Sequence, residues 1–161
     1  MAKISTYLNF SRNTEEVFNF YKSVFGGDFI DGKINRFGDM PPMEGAPPMP
    51  EEDKNLVMHV ALPILGDHLL MGSDAPESMG FIVNKGNNVY ISIHTDTRVQ
   101  ADNLFAKLSE GGVVELPMTD MFWGDYFGSF SDKFGIKWMV NHSTKVLSSD
   151  NSHLHSSPEP N

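Results

Sequence analysis

Residues 4–27 read ISTYLNFSRNTEEVFNFYKSVFGG, and residues 89–112 read VYISIHTDTRVQADNLFAKLSEGG. Both stretches open on an alternating apolar and polar run, 4–10 and 89–95, the pattern of a half-buried strand. Each then carries a helix start. Asn13 with Glu16 and Thr97 with Gln100 stand at capping-box spacing. The apolar residues that follow, Val17, Phe18, Tyr21, Val24 and Phe25 in one stretch and Ala101, Leu104, Phe105 and Leu108 in the other, fall on one helical face. Paired glycines, Gly26–Gly27 and Gly111–Gly112, end both helices, and their separation of 85 residues (111 minus 26) also carries Ile4 onto Val89. The chain is an internal repeat.

Working outward, 28–37 and 113–116 read as the next strands. Each half then adds two more, 56–65 and 68–73 in the first and 126–131 and 136–141 in the second. The unit is βαβββ, present twice, so the expected fold class is α+β. A single such unit leaves its sheet half covered and must bury the remaining face against its twin or a second subunit. The spacing predicts one domain over 1–145, with module one at 1–86 and module two at 87–145. Residues 38–53, GDMPPMEGAPPMPEED, interrupt module one with five prolines and three methionines. That composition excludes regular structure. The Ser-, Pro- and Asn-rich tail 146–161 is expected to be disordered.

The last hairpin lies in residues 121–142, MFWGDYFGSFSDKFGIKWMVNH. Asp132 can bond backbone two residues on and Gly135 can take positive φ, so "DKFG" specifies a tight turn. Trp123, Gly124 and Asp125 precede the hairpin as a ring, a bare backbone and a carboxylate able to converge on a ligand.

Twelve Lys and Arg against 21 Asp and Glu give a formal charge of −9, which argues against a phosphate-tracking surface. Nucleic acid is not an expected partner. The absence of cysteine removes disulfides, thiolate metal sites and a cysteine nucleophile together. No segment has the length and apolarity of a membrane span or an export signal, so no membrane partner and a cytoplasmic location are expected.

The doubled βαβββ plan, "ISTYLNF" before "TEEVFNFYKSVFGG", and "FWGDYFGSFSDKFGIKWMVN" together resemble the vicinal oxygen chelate superfamily. That superfamily includes glyoxalase I, extradiol dioxygenases and bleomycin-resistance proteins. More narrowly the chain is similar to its PhnB-like branch, often labelled 3-demethylubiquinone-9 3-methyltransferase-like. The resemblance spans residues 1–143. It implies paired modules forming a curled mixed sheet around a cavity, commonly at a homodimer interface. It also implies metal-ligand positions on the first and last strand of each module, here Ser5, Met71, Tyr90 and Met139. Thioethers and neutral hydroxyls are poor ligands for hard divalent ions. No metal and no cofactor are therefore expected.

The remaining candidates for a small-molecule site are Tyr7, Tyr90, Trp123 and Trp138 as aromatic surface, with His59, His94 and Asp125 as polar contacts. His59 lies mid-strand in "LVMHVAL", and His94 shares a strand face with Tyr90 and Ser92. An aromatic, partly cationic ligand suits the acidic net charge. The expected function is a metal-free, homodimeric small-molecule binder. The alternative is an enzyme acting on a small carbonyl or aromatic substrate through a non-standard site, either a lyase or isomerase using His59 as base or an oxygenase with a substitute metal site. The methyltransferase label finds no glycine-rich turn between a strand and a helix, since the double glycines follow helices.

Overall fold

The structure, a computed structural model, describes residues 1–144. The tail 146–161 lies outside the described residues. The elements are β1 (Thr6–Phe10), α1 (Thr14–Phe25), β2 (Asn35–Arg36), α2 (Glu51–Lys54), β3 (Val57–Pro63) and β4 (Leu69–Asp74), then β5 (Ile91–His94), α3 (Arg98–Ser109), β6 (Val113–Asp120), β7 (Asp125–Ser131) and β8 (Lys137–Ser143). The strands form two four-stranded sheets, ordered β1-β4-β3-β2 and β5-β8-β7-β6. In each, the first strand runs parallel to the last and the other pairings are antiparallel. The doubled unit is thus an α+β fold built as two mixed sheets.

The register sharpens the repeat. Thr6 pairs with Leu70 and Ile91 with Trp138. The 85-residue shift that carries Thr6 onto Ile91 therefore equates Leu70 with Trp138 and Met71 with Met139.

Three local expectations are corrected. Residues 51–53, expected to lack regular structure, open the short helix α2 directly after Pro50, which stands at its N-cap where a missing N–H costs nothing. Residues 28–37 do not form one strand, because Asp31 and Gly32 take φ of 58° and 63°, leaving only Asn35–Arg36 to pair with β3. Asn13 does not cap α1 with its side chain. The cap comes instead from the far end of β4, where Asp74 Oδ1 accepts from the Thr14 N–H at 3.1 Å and the Thr14 hydroxyl at 2.8 Å. Its other oxygen accepts from the Val57 N–H at 2.7 Å, so one buried carboxylate ties α1, β3 and β4 together. The expected cap on α3 is present, with the Gln100 N–H donating to Thr97 Oγ1 at 3.0 Å.

A single hydrophobic core spans both modules. Val17, Phe18 and Tyr21 of α1 and Ala101, Leu104 and Leu108 of α3 share it with Leu70, Phe130, Trp138 and Val140. Helix α1 also reaches across the modules: Phe20 packs edge-on against Phe134, and both Tyr21 and Phe25 contact the Trp138 ring. Asp132 fixes this junction. Its Oδ1 accepts from the N–H groups of Phe134 and Ile136, at 2.9 and 3.0 Å, which forms the expected turn. Its Oδ2 accepts from the Tyr21 hydroxyl at 2.5 Å and Trp138 Nε1 at 2.9 Å. Burial, reinforced by the neighbouring carboxylate, pushes the Tyr21 phenol well above its usual pKa and keeps it a donor.

Two glycines set how closely the helices approach their sheets. A Cβ on Gly72 would stand 2.6 Å from Phe18 Cε2, and one on Gly128 would stand 2.8 Å from Phe105 Cε2. Both approaches are below any van der Waals contact, so each helix sits on a bare strand position.

Replacing Asp132 by Ala strands two buried donors on opposite modules and is expected to cost about 3–5 kcal/mol. Urea unfolding followed by Trp fluorescence measures it, and a loss below about 1 kcal/mol would remove Asp132 from this role. Gly72→Ala is expected to destabilise by about 1–3 kcal/mol through overpacking against Phe18. A melting temperature equal to that of the parent protein would contradict that packing.

Candidate functional site

Period-two alternation gives each sheet one face under its helix and one open face. On module one, Leu8, Leu70 and Gly72 turn toward the core, while Tyr7, Asn9, Met71 and Ser73 stand on the other side, half-buried or exposed. His59 joins them from β3. Its ring stacks on Tyr7, with centroids 5.9 Å apart and planes 27° from parallel, and the Tyr7 hydroxyl lies 3.4 Å from His59 Nδ1. The Ser73 hydroxyl donates to Asn9 Oδ1 at 3.1 Å beside them.

On module two the open face carries Tyr90, Ser92, His94, Lys137 and Met139. The Tyr90 hydroxyl donates to Glu115 Oε2 at 2.6 Å, and Lys137 Nζ donates to Glu115 and to Ser131 Oγ. The Lys137 ammonium also sits 5.4 Å from the centre of the Tyr90 ring. Lys137, and after it Tyr90, hold the Glu115 carboxyl below the usual range. Glu115 in turn raises both of its donors. His94 meets only a serine among the contacts resolved for it, with Ser92 Oγ 3.4 Å from its Nε2.

Trp123 and Asp125 are joined by a direct bond, Trp123 Nε1 to Asp125 Oδ2 at 3.1 Å, across the β6–β7 turn. Gly124 closes that turn with φ of 100°. Phe122 packs edge-on against Trp123 and is itself fully exposed. Trp138 is placed elsewhere. It is wholly buried under α1 and spends its N–H on Asp132, so it is a core residue rather than aromatic lining. The sequence candidates are therefore dispersed: Tyr7 lies with His59, Trp123 with Asp125, His94 beside Ser92, and Tyr90 with Glu115 and Lys137, two residues that the sequence reading did not single out.

A cavity of about 650 Å³ opens between β1, residues 81–89, the start of β5 and the end of the β7–β8 turn. Tyr7 is the sequence candidate that lines it, with His59 stacked behind. Its apolar wall is Leu8, Phe37, Phe81, Ile91 and Ile136, and its charged groups are Asp74, Lys85 and Lys137. Sequence reasoning missed Lys137 and the whole 81–89 segment. Lys137 was detectable, since it alternates with Met139 on the open face of a recognised strand.

The sequence resemblance places metal-ligand positions at Ser5, Met71, Tyr90 and Met139. Met71 pairs with Tyr7 and Met139 with Ser92 on the open faces, so both sites carry a thioether where a hard ion needs carboxylate or imidazole. Among the described residues no three His, Asp or Glu side chains converge on a point able to hold a metal ion. His68 and His142 are engaged separately, with Thr6 Oγ1 and the Thr95 carbonyl, at 2.9 and 3.0 Å. The donor set present does not fit such an ion.

Comparison with known proteins agrees with the fold. Protein PA1353 from Pseudomonas aeruginosa is 34% identical, with 89% of this chain and 98% of that chain covered and a TM-score of 0.74. A putative 3-demethylubiquinone-9 3-methyltransferase, PhnB protein, from Bacillus cereus is 25% identical over 88% of this chain and all of its own, with a TM-score of 0.66. Protein YjdN of Escherichia coli (strain K12) is 24% identical over 143 residues, 86% of this chain and 93% of its own. A glyoxalase/bleomycin resistance protein/dioxygenase family enzyme from Burkholderia phytofirmans PsJN shares the fold at 17% identity, covering 85% of this chain and 96% of its own with a TM-score of 0.55. Residues 2–141 match the profile of one family throughout. The chain belongs to that family, described as 3-demethylubiquinone-9 3-methyltransferase, and shares its fold with the glyoxalase/bleomycin resistance protein/dioxygenase family enzyme.

Proposed function

We propose that this protein is a metal-free, homodimeric binding protein for a small organic molecule. The observation that carries the reading is that Met71 and Met139 occupy equivalent places in the two modules, at both positions where metal-dependent relatives need a carboxylate, while the chain has a cavity with an aromatic wall. A volume of about 650 Å³ falls within the usual range for small-molecule sites.

The methyl transfer in the family's description is not adopted. A nucleotide-type methyl donor is held by a glycine-rich turn leading from a strand into a helix. Here β1 runs into α1 through Ser11, Arg12 and Asn13, and the paired glycines follow helices. Support for a dimer comes from the open sheet faces and from exposed apolar side chains on two connecting segments, Phe81, Ile82 and Val89 on one and Phe122 and Trp123 on the other. Clustered apolar exposure of this kind is characteristic of interaction surfaces.

One observation favours a second reading, an enzyme. The stacked Tyr7–His59 pair places a phenol beside an imidazole on an open face, an arrangement suited to proton transfer.

Native mass spectrometry of protein purified without chelators is expected to give twice the chain mass with no stoichiometric divalent ion. One tightly held ion per subunit, lost in His59→Ala or Asp125→Ala, would overturn the metal-free reading, and a monomer would overturn the dimer. The two functional readings separate on turnover of small carbonyl and catechol substrates. The binding reading predicts none. The enzyme reading predicts activity that falls by about 10² or more in His59→Ala.

A further inference from the structure

The acidic net charge points to a cationic ligand, but the cavity has its own local charge. Three charged side chains line it, and two of them are already committed. Asp74 accepts from Thr14 and Val57, as described above. Lys137 is paired with Glu115. Lys85 is different: among the described residues no carboxylate lies within 4.0 Å of its ammonium group. Its stem is nevertheless placed. A Cβ on Gly135 would stand 3.0 Å from Lys85 Cδ, so the side chain lies across the bare backbone of the β7–β8 turn. Asn84 and Asn88 flank it on the same wall and add amide donors.

We propose that the cavity takes a small aromatic or apolar acid, its carboxylate paired with Lys85 and its apolar body held against Tyr7, Phe81 and Ile136. The inference rests on the reading of the cavity as the ligand site. An ammonium group with no carboxylate partner among the described residues, at the rim of an apolar wall, offers a charge-assisted hydrogen bond to an anion, whereas a cation there meets a like charge. The whole-protein charge of −9 does not reverse this, because exposed charges farther than about 8–10 Å are largely screened at physiological salt. Gly135 belongs to the same arrangement. Any side chain at that position would displace the Lys85 stem.

Isothermal titration with three probes of one shape tests the inference: phenylacetate, phenylacetamide and phenethylammonium. Wild-type protein is expected to bind phenylacetate about fivefold or more tightly than the amide. The ammonium probe is expected to be the weakest of the three. Lys85→Met, which keeps the stem, is expected to abolish the difference between acid and amide, and Lys85→Arg to retain it. Raising the salt concentration should narrow the difference in the wild type. Equal binding of acid and amide, tightest binding of the ammonium probe, or a preference that survives in Lys85→Met would overturn the pairing of a ligand carboxylate with Lys85 while leaving the cavity as a ligand site. Failure of all three probes to bind would count against the cavity reading itself, and this inference would fall with it.

Discussion

Asp132 sits at the point where the two modules must be made into one body. Its carboxylate is almost wholly buried, and each of its oxygens accepts two donors, backbone N–H groups on one side and Tyr21 and Trp138 on the other. Burying a carboxylate costs several kcal/mol unless its lone pairs are filled, and here they are filled by groups from both halves of the chain. The turn geometry and the docking of α1 are thereby the same event. Whatever fixes the β7–β8 turn also fixes Gly135, Ile136 and Lys137, which form one side of the cavity.

Asp74 performs a comparable task in module one, joining the start of α1 to the ends of β3 and β4. The register that equates Met71 with Met139 equates Asp74 with His142, which bonds the Thr95 carbonyl instead. The two halves keep one topology but close their helix entrances differently. Module two uses the local Thr97 cap, and module one uses a residue 60 positions away.

That contrast explains what could be read from the sequence. Signals that act within a few residues were legible: the Asp132 turn, the Thr97 cap, the double glycines and the repeat they reveal. The Asn13 cap failed because Asn13 and Asp74 offer the same chemistry, and the choice between them depends on where β4 ends in space. Trp138 failed for a related reason. Alternation places it with Val140 on one face of β8, but alternation does not say which face a helix from the other module will cover. The site was less legible than the fold. Tyr7 and His59 are 52 residues apart and Lys137 and Glu115 are 22 apart, so neither pairing leaves a local trace. Residues 81–89, which have no regular alternation, emerged only as a cavity wall.

The candidate chemistry follows from this architecture. The four positions at which the sequence resemblance implies metal ligands hold a serine, a tyrosine and two methionines, while the cavity has an aromatic and aliphatic wall with a small number of polar groups. In the proposed reading this cavity, and not a metal site on the open sheet faces, is where the protein meets its ligand. Backbone amide NMR shifts, followed as small aromatic fragments and then a divalent ion are titrated in, test it most directly. On that reading, fragment-induced shifts are expected to concentrate at residues 6–9, 81–91 and 135–137, with no saturable response to the ion. Saturable shifts from the ion around His59, His94 or Asp125, with the cavity amides unmoved by fragments, would contradict it.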